Sequence, residues 1–326
     1  MRSFKGYVKC LVAGLAMSGV MAPVAMAQKT VRIAYVTTES SPQHNQSKRF
    51  AEMIEERLPG HFNFRLYPNG QLGSEKTSLE QLQLGELEMA NIVTPIMEAD
   101  RSLEIFDLPF LFKDRDHARR ALNAELRGKM VQAIEKKTDV EVLGIYENGF
   151  RHTMSRREIV VPSDMKGMKI RIAGGKLRQD VFRAMGANPT PIDWTEVFTA
   201  LQTGVVDGAE AAIYGLYEAK LYQITPHLSL TSHAYAPSFL VVSQDFWSKL
   251  SAEEQKVFHE VGEELVAWSF DFSERTENEQ LEEMSKYAKI NKIDFEKFQE
   301  VTASAYETYA RQYGSEWLDV IRGAAQ

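Results

Sequence analysis

Val31-Arg32-Ile33-Ala34-Tyr35-Val36, then Ser47 to Leu58, then His61-Phe62-Asn63-Phe64-Arg65-Leu66-Tyr67 form the stretch whose pattern decides the fold. The first and third segments alternate in side-chain character and read as strands. The second has helical spacing and stops at Pro59-Gly60. Past the turn at Pro68-Asn69-Gly70, Glu75 to Leu84 is helical and ends at Gly85, and Met89 to Val93 is a short strand. Strands and helices alternating at this spacing predict βαβ units and a mainly parallel sheet.

A second set follows the same grammar. Val140 to Tyr146 and Lys169 to Ile172 read as strands, with Asn148-Gly149 ending the former. Leu177 to Met185 and Thr195 to Gln202 read as helices, Val205-Val206-Asp207-Gly208 as a strand entry, and His233 to Ser243 as the strand leading out. No Gly/Ser-rich or Pro-rich linker separates the sets, so continuous strands are expected to join two domains. From Ala252 to about Lys289 the chain has one glycine, Gly262, and no proline. Val257, Val261, Leu265, Trp268 and Phe272 recur there at helical spacing, and Ser251 with Glu254 fits a capping box. Such a length without sustained heptads predicts a spine along both domains.

Arg2, Lys5 and Lys9, the short apolar run Cys10 to Met21 and Ala25-Met26-Ala27 have the order of a secretory leader, with cleavage expected before Gln28. The run is too short for a bilayer span, which takes ~20 apolar residues. The formal net charge of −7 would fall to −10 without those three cations. An acidic surface argues against nucleic acid or anionic membrane as a partner. Cys10 is the one cysteine, so the mature chain has no disulfide or thiol chemistry. The sequence contains no H-E-x-x-H, G-x-S-x-G, P-loop or calcium-loop motif, and its seven histidines lack metal-ligand spacing. No metal and no cofactor are expected.

Two arginines stand out. Arg151 follows Asn148-Gly149, and Arg171 lies in Lys169-Ile170-Arg171-Ile172, where alternation sends it to the face opposite Ile170 and Ile172. An arginine near the carboxyl end of a parallel strand reaches the crevice where such sheets bind ligands, and its planar fork can hold a carboxylate with two hydrogen bonds. Spacing alone favours the plainer reading of each, an exposed or ion-paired strand arginine.

Glu147-Asn148-Gly149-Phe150-Arg151-His152-Thr153, Asp164 to Arg171, Gly186-Ala187-Asn188-Pro189-Thr190-Pro191 and Trp194 to Glu210 together resemble the DctP-type extracytoplasmic solute receptors of tripartite ATP-independent periplasmic (TRAP) transporters. Tyr67 to Gly73 and Leu108-Pro109-Phe110-Leu111-Phe112 are similar to family segments too, so the resemblance runs along essentially the whole mature chain. It implies an α/β, type II periplasmic-binding-protein-like fold: two α/β lobes around a ligand cleft, with a long helix spanning both. Lobe I is expected over 28–149 plus about 237–275, and lobe II over 150–236 plus about 276–326.

The resemblance further implies a periplasmic receptor, acting as a monomer, that captures a small organic acid and passes it to separate membrane permease subunits. Arg171 matches the family's carboxylate-clamping arginine, Arg151 a second arginine that often contributes, and Trp194 an aromatic that packs on the ligand or a plain core tryptophan. Where the family usually has asparagine, this chain has Ala211. Tyr214, Tyr235 and, more weakly, His233 are candidates to replace it. Glu210, Glu75, Thr94 and His44 complete the candidate set, Glu75 reading equally as a solvated helix start. Ala211 and Gly174 argue against sialic acid and, with Trp194, tilt towards an acid with an apolar or ring-bearing tail. C4-dicarboxylates and sugar acids are the family's commonest ligands. Two other readings remain open: a sensor presenting its ligand to a membrane receptor kinase, and a periplasmic hydrolase or isomerase with Glu210 as its faint acid/base candidate.

Overall fold

The computed structural model describes residues 28–325. The expected leader, 1–27, lies outside the described residues. The strands are Lys29–Ala34 (β1), Phe62–Tyr67 (β2), Met89–Ile92 (β3), Val140–Ser155 (β4), Lys169–Ile172 (β5), Asn188–Pro191 (β6), Gly208–Ala212 (β7), His227–Ser243 (β8) and Lys289–Asn291 (β9). Across the hydrogen-bonded path they run β2-β1-β3-β8-β4-β7-β5-β6, with β9 beside β8. β1, β2 and β3 are mutually parallel, as are β5, β6 and β7. β8 lies antiparallel to β3 and β4, and β4 antiparallel to β7. The fold is therefore two α/β lobes, each a small parallel sheet, joined through the long strands β4 and β8 with no linker between them.

Local chemistry sets the helix starts. Ser41 accepts a hydrogen bond from the His44 amide to open the helix Pro42–Arg57, and Ser74 accepts one from the Thr77 amide to open Glu75–Gln83. Ser251 and Glu254 form the expected capping box at the start of the helix Ala252–Met284, whose 33 residues span about 50 Å. That helix stops short of the expected end near Lys289, because Lys289 opens β9 beside β8.

Two further expectations are corrected. β4 does not end at Tyr146 but continues to Ser155, so Arg151 lies inside a strand. The Asn148-Gly149 pair is a bulge: the β4–β8 register shifts between Glu147 and Phe150, and Gly149 takes φ 101°. A bulge bends a strand without ending its pairing, and the same residues in sequence look like a turn. The buried face of the long helix is also offset from the apolar stripe. Val261 and Leu265 are buried as expected, but Trp268 and Phe272 stack on each other at its margin, while Gly262, Ser269 and Ser273 face β4. Small residues let the helix come close. Ser269 Oγ accepts a hydrogen bond from the Glu147 amide (3.1 Å) and Tyr146 Oη donates one to the Gly262 carbonyl (3.2 Å).

A Cβ placed on Gly262 would sit 2.1 Å from the Leu143 carbonyl oxygen. Gly262→Ala should therefore destabilise the chain by roughly 1–3 kcal/mol, as overpacking does, despite alanine's better helix propensity. A urea midpoint at or above that of the parent would mean that the helix and β4 can part without penalty.

Candidate functional site

A cleft opens between the β1–β3 side and the β5–β7 side, with a cavity of about 370 Å³. Arg171 is carried into it by β5, which its parallel neighbours β6 and β7 fix on both flanks. Arg171 is 2 % exposed. Nε donates to the Ile192 carbonyl (2.8 Å), Nη1 makes a long contact to the Glu210 carbonyl (3.4 Å), and Nη2 makes no hydrogen bond among the described residues. The Trp194 ring lies 5.2 Å from the guanidinium carbon, in cation–π range. Gly215 leaves room for that indole, since a Cβ there would come within 3.1 Å of it.

The other buried arginines are engaged. Arg151 grips Glu210 through Nε and through Nη2 (2.8 Å), a two-pronged pair allowed by the antiparallel pairing of β4 with β7. Arg178 donates to Asp107 through Nε (2.8 Å) and Nη2 (2.5 Å), and its Nη1 lies 3.8 Å from Glu210. Burial would push the Glu210 carboxyl up, but Arg151 and Arg178 overcome it and hold the group well below the usual range. His233 Nε2 lies 3.4 Å from Glu210, and burial pushes its imidazole down, keeping it neutral. Arg151, Arg171 and Arg178 against Glu210 and Asp107 leave one cation without a counter-ion. That cation is Arg171. Burial first, and then the neighbouring Arg151 and Arg178, push its guanidinium down to about 9, still charged at neutral pH. An anion entering the cavity would relieve this.

Across the cavity, Glu75 accepts hydrogen bonds from the Val93 amide (3.1 Å) and the Thr94 amide (3.3 Å). Tyr214 lines the floor and donates its hydroxyl to Asn148 Oδ1. The two sides of the cleft are shut against each other: Glu98 accepts from the Gly175 amide (3.0 Å) and Glu104 from the Lys176 amide (3.0 Å). The structure thus brings Arg171, Arg151, Trp194, Tyr214, Thr94 and Glu75 to one cavity. Glu210 lies behind the lining as the counter-ion of Arg151. Tyr235 and His44 are outside it, because each polar tip is already engaged. Tyr235 donates to Glu147, and His44 pairs with Tyr35 Oη (2.6 Å). His233 is likewise packed away from the cavity, between Thr231 and Glu210.

Asn148 is not among the sequence candidates, because Asn148-Gly149 reads there as the end of a strand. It is 3 % exposed and lines the cavity. Arg178 and Asp107 were missed as well. Nothing in the Leu177–Met185 periodicity marks one of its arginines as buried.

Next to the bulge, Glu147 is fully buried between Arg115 Nε (3.0 Å) and the Tyr235 hydroxyl. Burial outweighs Arg115 and raises its carboxyl from 4.5 to about 7. The folded chain therefore keeps this proton over a window in which the unfolded chain has lost it. The contribution of Glu147 falls as pH rises from about 4.5 to 7, by up to ~3 kcal/mol. His152, pushed down to about 3 by burial, acts in the opposite sense below its ordinary value of 6.5. It is common to parent and Glu147→Gln and cancels between them. Denaturant titrations at pH 5 and pH 7.5 should show the variant gaining relative to the parent at the higher pH. An unchanged difference would mean that Arg115 keeps Glu147 ionised.

The family model for bacterial extracellular solute-binding proteins, family 7 (DctP), matches residues 33–312. A solute-binding protein of Sulfitobacter sp. (strain NAS-14.1) is 30% identical, over 96% of this chain and 97% of its own length. A TRAP periplasmic solute-binding protein of Polaromonas sp. JS666, solved with D-erythronate, superposes with a TM-score of 0.87 at 30% identity, covering 90% of this chain and 98% of that one. One from Shewanella oneidensis, solved with succinate, superposes with a TM-score of 0.87 at 27% identity, covering 92% and 100%.

Proposed function

We propose, since the chain belongs to the DctP family of bacterial extracellular solute-binding proteins, that its cleft captures a small organic acid with Arg171 as the carboxylate anchor. The protein is the solute-binding component of a TRAP transporter, a binding protein and not an enzyme. One observation carries the anchor assignment: Arg171 is the guanidinium of the buried cluster without a carboxylate partner, and its Nη2 is unbonded at the cavity. A ligand carboxylate supplies the missing counter-ion and two acceptors, and the buried setting of Arg171 strengthens the pair.

Arg151 orients the site through Glu210 rather than offering a second free fork. Asn148 takes the place of the amide lost at Ala211. Its Oδ1 is held by Tyr214, and its amide nitrogen makes no hydrogen bond among the described residues, so it can donate to a ligand oxygen. Trp194 shields the anchor from water. The lobes divide as 28–149 with about 237–275, and 150–236 with about 276–326, hinging where the β4–β8 register breaks. The working location is the periplasm, after cleavage behind Ala27. The loaded monomer docks on separate permease subunits. Among the described residues no helix is long and apolar enough to cross a membrane.

The test is a thermal-shift screen of the mature chain, unfolded and refolded to strip carried-over ligand, against a broad panel of organic acids. A ligand at a hundred times its dissociation constant stabilises by ~2.7 kcal/mol, a shift of roughly 5–10 °C or less for a chain of this size. A shift from one class of acid supports the reading. A panel of carboxylates that produces none overturns it.

A further inference from the structure

The cavity is polarised. Its buried cation without a carboxylate partner, Arg171, enters from the β5 side, while Glu75 faces it from the β1–β3 side at the start of the helix Glu75–Gln83. Glu75 has no ion-pair partner among the described residues. Each of its carboxyl oxygens accepts one backbone N–H, from Val93 and Thr94, which fixes the group in place. The other acids of the lining do not reverse this polarity. Glu98 is tied to the Gly175 amide, and Asp193 and Glu196 are exposed to solvent at the mouth. Lys76, beside Glu75, is exposed and forms no ion pair with it. The Tyr214 hydroxyl is engaged by Asn148 and is not free to donate to a second carboxylate.

Resting on the reading of Arg171 as anchor, we propose that the site selects monocarboxylic acids ending in a hydroxyl, and that Glu75 excludes the corresponding dicarboxylates. A carboxylate held by Arg171 leaves the far end of a short acid directed at the Glu75 side. A hydroxyl there donates to a lone pair that the Val93 and Thr94 amides leave open. A second carboxylate there has no proton to donate and meets a like charge, a juxtaposition that specific sites use for rejection. Burial pushes the Glu75 carboxyl up, against the Val93 and Thr94 amides and the field of Arg171 and Arg151, which favour its ionised form.

The experiment compares acids that differ only at the far carbon, hydroxymethyl against carboxylate: D-erythronate with meso-tartrate, D-gluconate with D-glucarate, D-galactonate with galactarate. Dissociation constants are measured by calorimetry on the refolded mature chain and on Glu75→Gln. The parent should bind its best hydroxy acid at least tenfold tighter than the oxidised partner, and Glu75→Gln should narrow that ratio below threefold. If the best acid from the wider panel is a different one, the same comparison is made with that acid oxidised at its far carbon.

A parent that binds the dicarboxylate as tightly, or whose best ligand has no far hydroxyl, overturns the proposal, and the parent alone decides this should the variant not fold. A folded Glu75→Gln that keeps the tenfold ratio, or that loses both acids equally, also overturns it. Failure of the underlying reading looks different: no acid binds at all, or binding survives Arg171→Ala.

Discussion

Glu210→Ala is expected to be the most destabilising single substitution in the cleft, lowering stability by about 3–5 kcal/mol. Glu210 is fully buried, chelated by Arg151, accepts the Ala173 amide (3.2 Å), and has Arg178 and His233 at its edge. Removing it leaves Arg151 without a counter-ion, beside Arg171, which already lacks one. Asp107 compensates only Arg178. Glu210→Gln keeps the shape and removes the charge, so it should lose most of the same stability. Urea midpoints for both variants check this. A loss under about 1 kcal/mol would mean that the cluster relaxes towards water, and that its charges matter less than their burial implies.

Arg171→Ala is expected to weaken binding by a hundredfold or more while changing stability by less than about 1 kcal/mol. Two charge-assisted hydrogen bonds to a carboxylate contribute roughly 3 kcal/mol or more together, which is that factor in affinity. The small effect on folding follows from opposing terms. The substitution removes an uncompensated buried cation, which is favourable, and leaves the Ile192 carbonyl short of a donor, which is not, while the Glu210 carbonyl keeps Arg151 Nη2 at 3.1 Å. Arg171→Lys should retain part of the affinity, because a lysine supplies charge without the planar fork. Calorimetry alongside denaturant titration separates the two effects. Retained affinity in Arg171→Ala would reassign the anchor.

Sequence alone resolved much of the architecture because strands and helices here carry their own signals: alternation at β1 and β2, the Pro59-Gly60 stop after the first helix, a capping box at Ser251. Its blind spots have a common cause. Arg151 and Arg171 look alike in sequence, and what separates them is Glu210, brought opposite Thr153 only by the β4–β7 ladder. Which arginine keeps a free edge is a property of pairing across the sheet. Asn148 was hidden by the same logic, since Asn-Gly reads as a turn until a partner strand shows it to be a bulge. Tyr235 and His44 looked available because sequence does not show that Glu147 and Tyr35 already engage them. The long helix misled in a different way: its apolar stripe is legible, but Gly262, Ser269 and Ser273, which carry no apolar signal, are the residues set against β4.

The threading of the sheet bears on how the chain is made. β3 has one neighbour in β1, and its other is β8, which begins at His227. β4 in turn needs both β7 and β8. Neither half can close its sheet during synthesis until more than two thirds of the chain has emerged, and the helix that braces β4 comes later still. Contacts so distant in sequence make folding slow. A growing chain of this topology leaves both of its sheets unfinished until the strand that begins at His227 has been made.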